Sequence, residues 1–422
     1  MRKAATLYDY IKWRGDLTFR QDEFNERDAA VLSQLVYTDF SKFSSLNEDR
    51  DYITFKDIGE KIKSHTEFLI VNGDYIQRKE EYDEFLLAAC DTDRYGNIKI
   101  RKYVDITVLE QNIQFAAATF ELDNGLKVIT FRGTDDSVVG WKEDFMLSYE
   151  TTGSQLAAGE YINARLKDEI DEEFYICGHS KGANLAVYAA AVLKDEEIKR
   201  LKHIYMFDGP GICEPVLNEA QILEANDILK DKEDPEEKIK EIYSRLDDKT
   251  TRISPESCFI GKIFEAKFTD TRLVKSTAKG LGQHSLVTWC MDYHDFLYAE
   301  KFERGSVWAG KIFDEWMKDQ DMEKRKIFVE EIFGAFEEAG IERFSDILKH
   351  GFSSIKKIAG AASGISGTTK KMAMDLPKTG INDIGKSNKK KIDKLQEKVE
   401  GKISHLPELS IKSKNYITLS DK

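Results

Sequence analysis

Apolar residues along this chain repeat with two different periods, and the points where one gives way to the other mark its elements. Gln114 to Leu122 and Val128 to Phe131 are β-rich runs on either side of Asp123-Asn124-Gly125, a spacing that predicts a hairpin. Phe174-Tyr175-Ile176-Cys177 is apolar without alternation, as expected of a strand covered on both faces. That run breaks at Gly178-His179-Ser180-Lys181-Gly182, after which Ala183, Ala186, Ala189 and Ala190 predict a helix lying close to the sheet. His203 to Phe207 and Lys267 to Lys275 are further β-runs. Helical spacing governs Phe24 to Phe40, where Asn25 is the candidate cap and Ala29, Ala30, Leu32, Leu35 and Val36 form the apolar face. It also governs Gly59 to Asp91, and most of Asp295 to about Gly351, where Trp308, Ile312, Phe313, Trp316, Phe328, Ile332, Phe333 and Phe336 read as a core stripe. Strands that alternate with helices predict an α/β fold around a mostly parallel central sheet.

Punctuation divides the rest. Residues 1–350 read as one α/β domain, with 295–350 as its helical C-terminal part. Within it, 214–250 is a charged, helix-forming insertion, either a lid over a pocket or a solvated excursion. Residues 351–422 form a tail rich in lysine, glycine and serine, with a net charge of about plus 8 from Ser353 onward on a chain whose overall charge is minus 13. Its composition disfavours a stable isolated helix. Two roles stay open for it: a weakly ordered soluble tail, or a guide to an anionic membrane surface or acidic partner.

The chemistry centres on Ser180. A serine at a sharp strand-to-helix corner needs small residues two before and two after it, and these are Gly178 and Gly182. The helix that follows points backbone N–H groups at the corner, and the Lys181 N–H is the first. A second donor is expected from the loop after an earlier strand, where Gly133-Thr134 follows Phe131-Arg132, which makes the Thr134 N–H the candidate. In this type of site the acid and then the histidine follow the nucleophile. Of seven histidines, His284, in the flexible Lys279-Gly280-Leu281-Gly282-Gln283-His284-Ser285 loop, is the candidate base. His294 is the runner-up in a setting that reads as helical, and His179 is expected to face away from Ser180. Asp208, directly after the His203–Phe207 run, is the candidate acid, and Glu256 in Arg252-Ile253-Ser254-Pro255-Glu256 is the alternative. A turn aspartate that bonds its own backbone is the structural reading of Asp208.

Nearby charges read as structural. Trp141 and Asp144 are expected to anchor the loop around Thr134 or to shape a pocket. Arg132 requires an internal ion pair, with Asp144 as the expected partner. The Lys181 side chain reads as solvated, or as facing the site entrance.

Several of these motifs together carry a family resemblance. Phe131-Arg132-Gly133-Thr134, Gly140-Trp141-Lys142-Glu143-Asp144-Phe145 and the Gly178-His179-Ser180 corner resemble class 3 lipases of the α/β-hydrolase superfamily. A closer resemblance is to the bacterial Mbeg-like family, domain of unknown function 2974. It rests on Tyr8-Asp9-Tyr10-Ile11-Lys12-Trp13-Arg14-Gly15-Asp16-Leu17-Thr18-Phe19, Phe24-Asn25-Glu26, Phe207-Asp208-Gly209-Pro210-Gly211 and Gln283-His284. The resemblance implies an α/β-hydrolase fold and a serine hydrolase acting on carboxylic esters, lipid or other acyl esters, through Ser180, His284 and Asp208. The alternative is a binding or regulatory protein of the same fold without turnover.

Composition narrows the setting. With 33% charged residues and a net charge of minus 13, the chain is not expected to bind nucleic acid. Five cysteines without C-x-x-C spacing argue for free thiols in a reducing, cytoplasmic compartment and against a zinc site. No cofactor is expected. The start has no continuous apolar stretch of signal-peptide type, and no run approaches the length of a spanning helix. The pattern does not reveal an oligomeric state.

Overall fold

The computed structural model describes residues 4–47, 50–64, 79–135, 137–168, 173–258, 260–302, 320–338 and 365–375. Among them, nine strands form one sheet: β1 (Ile53–Thr54), β2 (Lys99–Val108), β3 (Ile113–Glu121), β4 (Lys127–Phe131), β5 (Phe174–His179), β6 (Leu201–Phe207), β7 (Thr250–Pro255), β8 (Asp270–Val274) and β9 (Tyr298–Ala299). They lie side by side in chain order. β1 to β4 form an antiparallel meander, β4 to β8 run parallel, and β9 closes the edge antiparallel to β8. The expected hairpin is β3–β4, and its turn uses Gly125 at φ 89, a backbone angle that L-residues rarely adopt.

Helices cover both faces, as a parallel sheet requires. On one face, α1 (Leu7–Arg14) and α2 (Glu26–Leu35) pack with the helices Phe55–Ser64 and Lys79–Cys90 over Phe120, Cys177 and Phe207. On the other, α4 (Gly153–Asp168), α5 (Lys181–Ala191) and α6 (Pro235–Leu246) pack over Ile129, Ile176 and Met206. The period-2 alternation of β5 sends Cys177 to the first core and Ile176 to the second. The short α3 (Val138–Met146) meets α7 (Met322–Glu338) in a third cluster that contains Phe328, Ile332, Phe333 and Phe336. These mostly parallel strands between two helical layers make an α/β-hydrolase fold.

Local chemistry explains the start of α2. The Asn25 Oδ1 accepts from the Arg27 N–H at 2.9 Å, and the Asp28 carboxylate accepts back from the Asn25 N–H at 3.1 Å. Asp28 is fully buried and also takes the Arg94 guanidinium at 2.6 and 2.7 Å and the Tyr95 hydroxyl at 2.7 Å. That hub fastens the N-terminal layer to the segment entering β2.

Other expectations fare unevenly. The 214–250 insertion is mostly helical, in short pieces broken at Glu219, Asn226 and 232–234, and its apolar side is packed rather than solvated. Ile222, Leu229, Ile242 and Leu246 are buried in the same core as α5, while Ile228 stays half exposed. The segment around His294 is not helical: Cys290–Met291 pairs with Ala5–Thr6, and the Asp292 carboxylate caps a turn that leaves His294 exposed. In the tail, Gly367–Asp375 is a helix that is packed and not isolated: Ile365, Met372 and Ala373 have a partner in α7. Trp308, Ile312, Phe313 and Trp316 lie outside the described residues, as does everything after Asp375. No described helix is long and apolar enough to cross a membrane.

Candidate active site

Parallel register brings four strand ends to one edge of the sheet. Phe131 lies opposite Gly178, His179 opposite Phe207, and Phe207 opposite Ile253. Thr134, Ser180, Asp208 and Glu256 therefore leave the sheet side by side.

Ser180 occupies the corner at φ 58 and ψ −131, between β5 and α5. A non-glycine residue there stores about 1–3 kcal/mol of strain, which the surroundings must overcome. They do so by close approach. A Cβ on Gly178 would stand 2.2 Å from the Gly182 carbonyl oxygen, and one on Gly182 would stand 2.2 Å from the Phe131 oxygen. Only glycine fits at both positions. The Ser180 N–H donates to the Phe207 carbonyl at 3.0 Å, and the Ser180 side chain keeps a narrow opening at 7% exposure.

Asp208 also has positive φ, 40, and it is fully buried. Its carboxylate does not fold back on its own turn. One oxygen accepts from the Gly261 N–H at 3.2 Å, and the other lies 2.6 Å from the His284 Nδ1. Gly209 follows because a Cβ there would stand 2.4 Å from the Ser180 carbonyl oxygen. His284 ends a short 3-10 turn, Gly280–His284, and is 1% exposed. The adjoining Gln283 fixes that turn: its Oε1 accepts from the Ser257 N–H at 3.0 Å, and its carbonyl accepts from the buried Trp289 indole at 2.8 Å. Glu256, the alternative acid, begins the segment after β7 and donates its N–H to the Val274 carbonyl at 3.1 Å.

Asp208, Cys258 and His284 hold donor atoms within 4.8 Å of one another. Two ligands on a tetrahedral ion with bonds of about 2.0 Å would stand roughly 3.3 Å apart. The 2.6 Å between Nδ1 and Oδ2 suits a shared proton instead.

His179, next to Ser180, makes two buried contacts of its own. Its Nε2 lies 2.8 Å from the His284 carbonyl oxygen and its Nδ1 lies 3.1 Å from the Tyr37 hydroxyl. Burial, and then the nearby His284, hold its pKa well below the usual imidazole range.

On the other side of the corner, Gly133 presses against β5 so closely that a Cβ would meet the Tyr37 hydroxyl at 2.3 Å and the His179 carbonyl oxygen at 2.5 Å. The Thr134 hydroxyl donates to Asp144, whose oxygens lie 2.7 and 2.9 Å away, so Asp144 anchors the loop. Burial pushes the Asp144 carboxyl up to about 7, against the pull of Lys181 and of the Thr134 hydroxyl.

Two charge assignments need correction. Arg132 pairs with Asp105, not Asp144, through two bonds of 2.7 and 2.8 Å. Asp105 faces Ala116 on β3, and the Arg132 N–H bonds the Ala116 carbonyl, so sheet register sets the partner. The Lys181 side chain is neither solvated nor at the entrance. It is fully buried and donates to Glu143 at 2.7 Å and to the Gln114 carbonyl at 2.8 Å. Glu143 also accepts from the N–H groups of Gln114 at 3.0 Å and Ser154 at 2.9 Å. This network ties α5 to α3 and β3.

Sequence reasoning missed Tyr37 and Gln114 as parts of the site, and Gln283 stood beside His284 in its motif without a role. Glu143 stood within the Gly140–Phe145 motif without a role. A groove of about 860 Å³, lined by Ile212, Ile239, Tyr243, Phe264 and Arg325 among others, opens elsewhere and has neither Ser180 nor His284 in its wall.

Solved structures similar to this chain include a mutant of MDLA from Penicillium cyclopium, at 12% identity, with 66% of this chain and 86% of that one covered and a TM-score of 0.34. Another is Rhizomucor miehei lipase with its propeptide, at 14% identity, with 71% and 76% covered and a TM-score of 0.32. No curated protein matches. Over residues 89–334 the sequence matches the Mbeg1-like family, and the chain belongs to it.

Proposed function

We propose that this protein is a serine hydrolase of carboxylic esters, with Ser180 as nucleophile, His284 as base and Asp208 as the acid that orients it. The observation that carries the reading is the buried 2.6 Å contact between His284 Nδ1 and Asp208, on the strand end beside the strained Ser180 corner. With Asp208 holding Nδ1–H, the His284 Nε2 takes the Ser180 proton as Oγ attacks the ester carbonyl. Negative charge collects on the carbonyl oxygen, and the N–H groups of Thr134 and Lys181 receive it. His284 returns the proton to the leaving alcohol. Water, deprotonated by the same imidazole, then releases the acid from Ser180. Thr134 is suited to its part because Asp144 fixes its hydroxyl, and Lys181 because its side chain is locked to Glu143.

Resemblance to class 3 lipases favours lipid or other acyl esters as substrate. The lysine-rich tail, most of it outside the described residues, would bring such an enzyme to an anionic surface, a role its charge supports. The five free cysteines support a cytoplasmic location.

Labelling with a fluorophosphonate, followed by hydrolysis of p-nitrophenyl esters of graded chain length, tests the reading. Wild type is expected to label and turn over, Ser180→Ala and His284→Ala to do neither, and Asp208→Asn to lose most of its rate while Glu256→Gln keeps it. A wild type that neither labels nor hydrolyses any ester, with or without anionic vesicles, would favour the binding-protein alternative. Salt-sensitive vesicle binding that persists in a chain ending near Gly351 would remove the tail from the account.

A further inference from the structure

We infer that His179 is a positioning residue for the His284 base, acting through the His284 backbone, and that Tyr37 sets the tautomer in which it does so. This rests on the hydrolase reading. His284 sits on a 3-10 turn, outside any strand or helix long enough to fix it by regular hydrogen bonding. A base that must hold a buried carboxylate with one nitrogen and exchange protons with a serine through the other needs its backbone fixed as well as its ring.

The His179 Nε2 lies 2.8 Å from the His284 carbonyl oxygen. A carbonyl only accepts, so the proton is on Nε2. In a neutral imidazole, Nδ1 is then an acceptor, and the group 3.1 Å from it is the Tyr37 hydroxyl, which donates. Both side chains are 1% exposed, which keeps His179 neutral and excludes water as a substitute partner. The two imidazoles lie with centroids 4.5 Å apart, so a shift of one is felt directly by the other. Tyr37 also sits where Gly133 lacks a side chain, beneath the loop that carries Thr134. One hydrogen-bonded line therefore runs from the N-terminal helical layer through the nucleophile strand to the base.

The test compares His179→Leu, His179→Gln and Tyr37→Phe in the full chain. Glutamine keeps an N–H donor near the position of Nε2, and leucine keeps only bulk. Since a displacement of about 1 Å at a reacting group can cost about 100-fold in rate, His179→Leu is expected to lower kcat roughly 10- to 100-fold with KM within about twofold. Glutamine should recover most of that loss, and Tyr37→Phe should show a smaller one. The far-downfield proton resonance of His284 Nδ1–H, identified by its absence in His284→Ala, reads the Asp208–His284 contact without turnover. It should shift or broaden in His179→Leu and stay near its wild-type position in His179→Gln. An unchanged resonance and kcat in His179→Leu, or a glutamine variant no better than leucine at equal thermal stability, would overturn the inference. A wild type that shows the resonance but hydrolyses nothing would instead sink the hydrolase reading and leave the positioning contact standing.

Discussion

The pair between Lys181 and Glu143 offers the sharpest energetic test, since both side chains are fully buried and their contacts can be counted. In Glu143→Gln, the residue that accepted from Lys181 at 2.7 Å, Gln114 N–H at 3.0 Å and Ser154 N–H at 2.9 Å keeps a single acceptor oxygen. Its new NH2 group must face a donor. Lys181 retains the Gln114 carbonyl at 2.8 Å and the neighbouring Asp144 carboxyl as partial compensation for its charge. Leaving one member of a buried pair alone costs about 3–5 kcal/mol. A lost bond to a buried amide adds about 1–3 kcal/mol, partly the same energy. The expected loss is about 4–5 kcal/mol, a large part of the roughly 5–15 kcal/mol available to a folded protein. Lys181→Met should cost less, about 3 kcal/mol, because the stranded carboxylate keeps two backbone donors. The double variant Lys181→Met/Glu143→Gln removes both charges, so its cost should fall below the sum of the single ones by about 2–3 kcal/mol. Urea unfolding followed by tryptophan fluorescence measures all three, and fluorophosphonate labelling in dilute urea reports whether the Ser180 corner loosens first. Strict additivity, or a loss under about 1 kcal/mol for Glu143→Gln, would refute the claim that this pair holds the corner.

Other variants probe separate parts of the same frame. The folded Asp144 carboxyl keeps its proton up to about 7 whereas the unfolded one releases it near 3.8, so the folded state binds more protons between those values and loses stability as pH rises through them. The advantage of Asp144→Asn over wild type in urea midpoint should therefore grow from acid to mildly alkaline pH, and a constant difference would contradict that sign. Gly178→Ala should abolish both soluble folding and labelling, because its methyl would lie 2.2 Å from the Gly182 oxygen; a labelled, stable variant would show that the corner opens. Asp28→Asn should cost about 3–5 kcal/mol in unfolding experiments by stranding the buried Arg94, and near-neutral behaviour would mean that the N-terminal layer is held otherwise.

What the sequence made legible was local. The hairpin through Asn124-Gly125, the Asn25 cap and the glycines around Ser180 each depend on residues within a few positions, so pattern and backbone geometry suffice. Chain order singled out Asp208 and His284, and the fold brings them to 2.6 Å because register carries successive parallel strands to one edge. Partners of buried charges were not legible. Asp105 meets Arg132 across two strand pairings, 27 positions away, and Glu143 meets Lys181 at a separation of 38; neither spacing has a period. The lysine read as solvated because charge in a helix's first turn usually is, and it is buried here because α3 supplies a carboxylate at the one place where α5 must lie against the sheet. The packing of the tail helix was illegible for a related reason: composition bears on an isolated helix, and the apolar face that receives this one is on α7.

The residues that complete the site are far apart along the chain, from Tyr37 to Trp289. The family match begins at residue 89, yet Tyr37 lies upstream of it, under Gly133 and against His179. Besides the Trp289 indole, the His284 turn is held from three strand ends: by Asp208 at the end of β6, by Ser257 through Gln283 just after β7, and by His179 at the end of β5. Each hold comes from a different strand, and parallel register fixes the spacing of those strands. An irregular loop gains by this route the rigidity that a helix has from its own hydrogen bonds. It also explains the residue types. Gln283 and His179 each use one polar group to grip a backbone and a second to be gripped, so a residue with a single polar function at either place would leave the turn attached at one fewer point. The adjacent Gln283-His284 pair thus joins a gripping residue to the imidazole it aims, and their loop is anchored to the two strand ends that carry Ser180 and Asp208 and to the segment after β7.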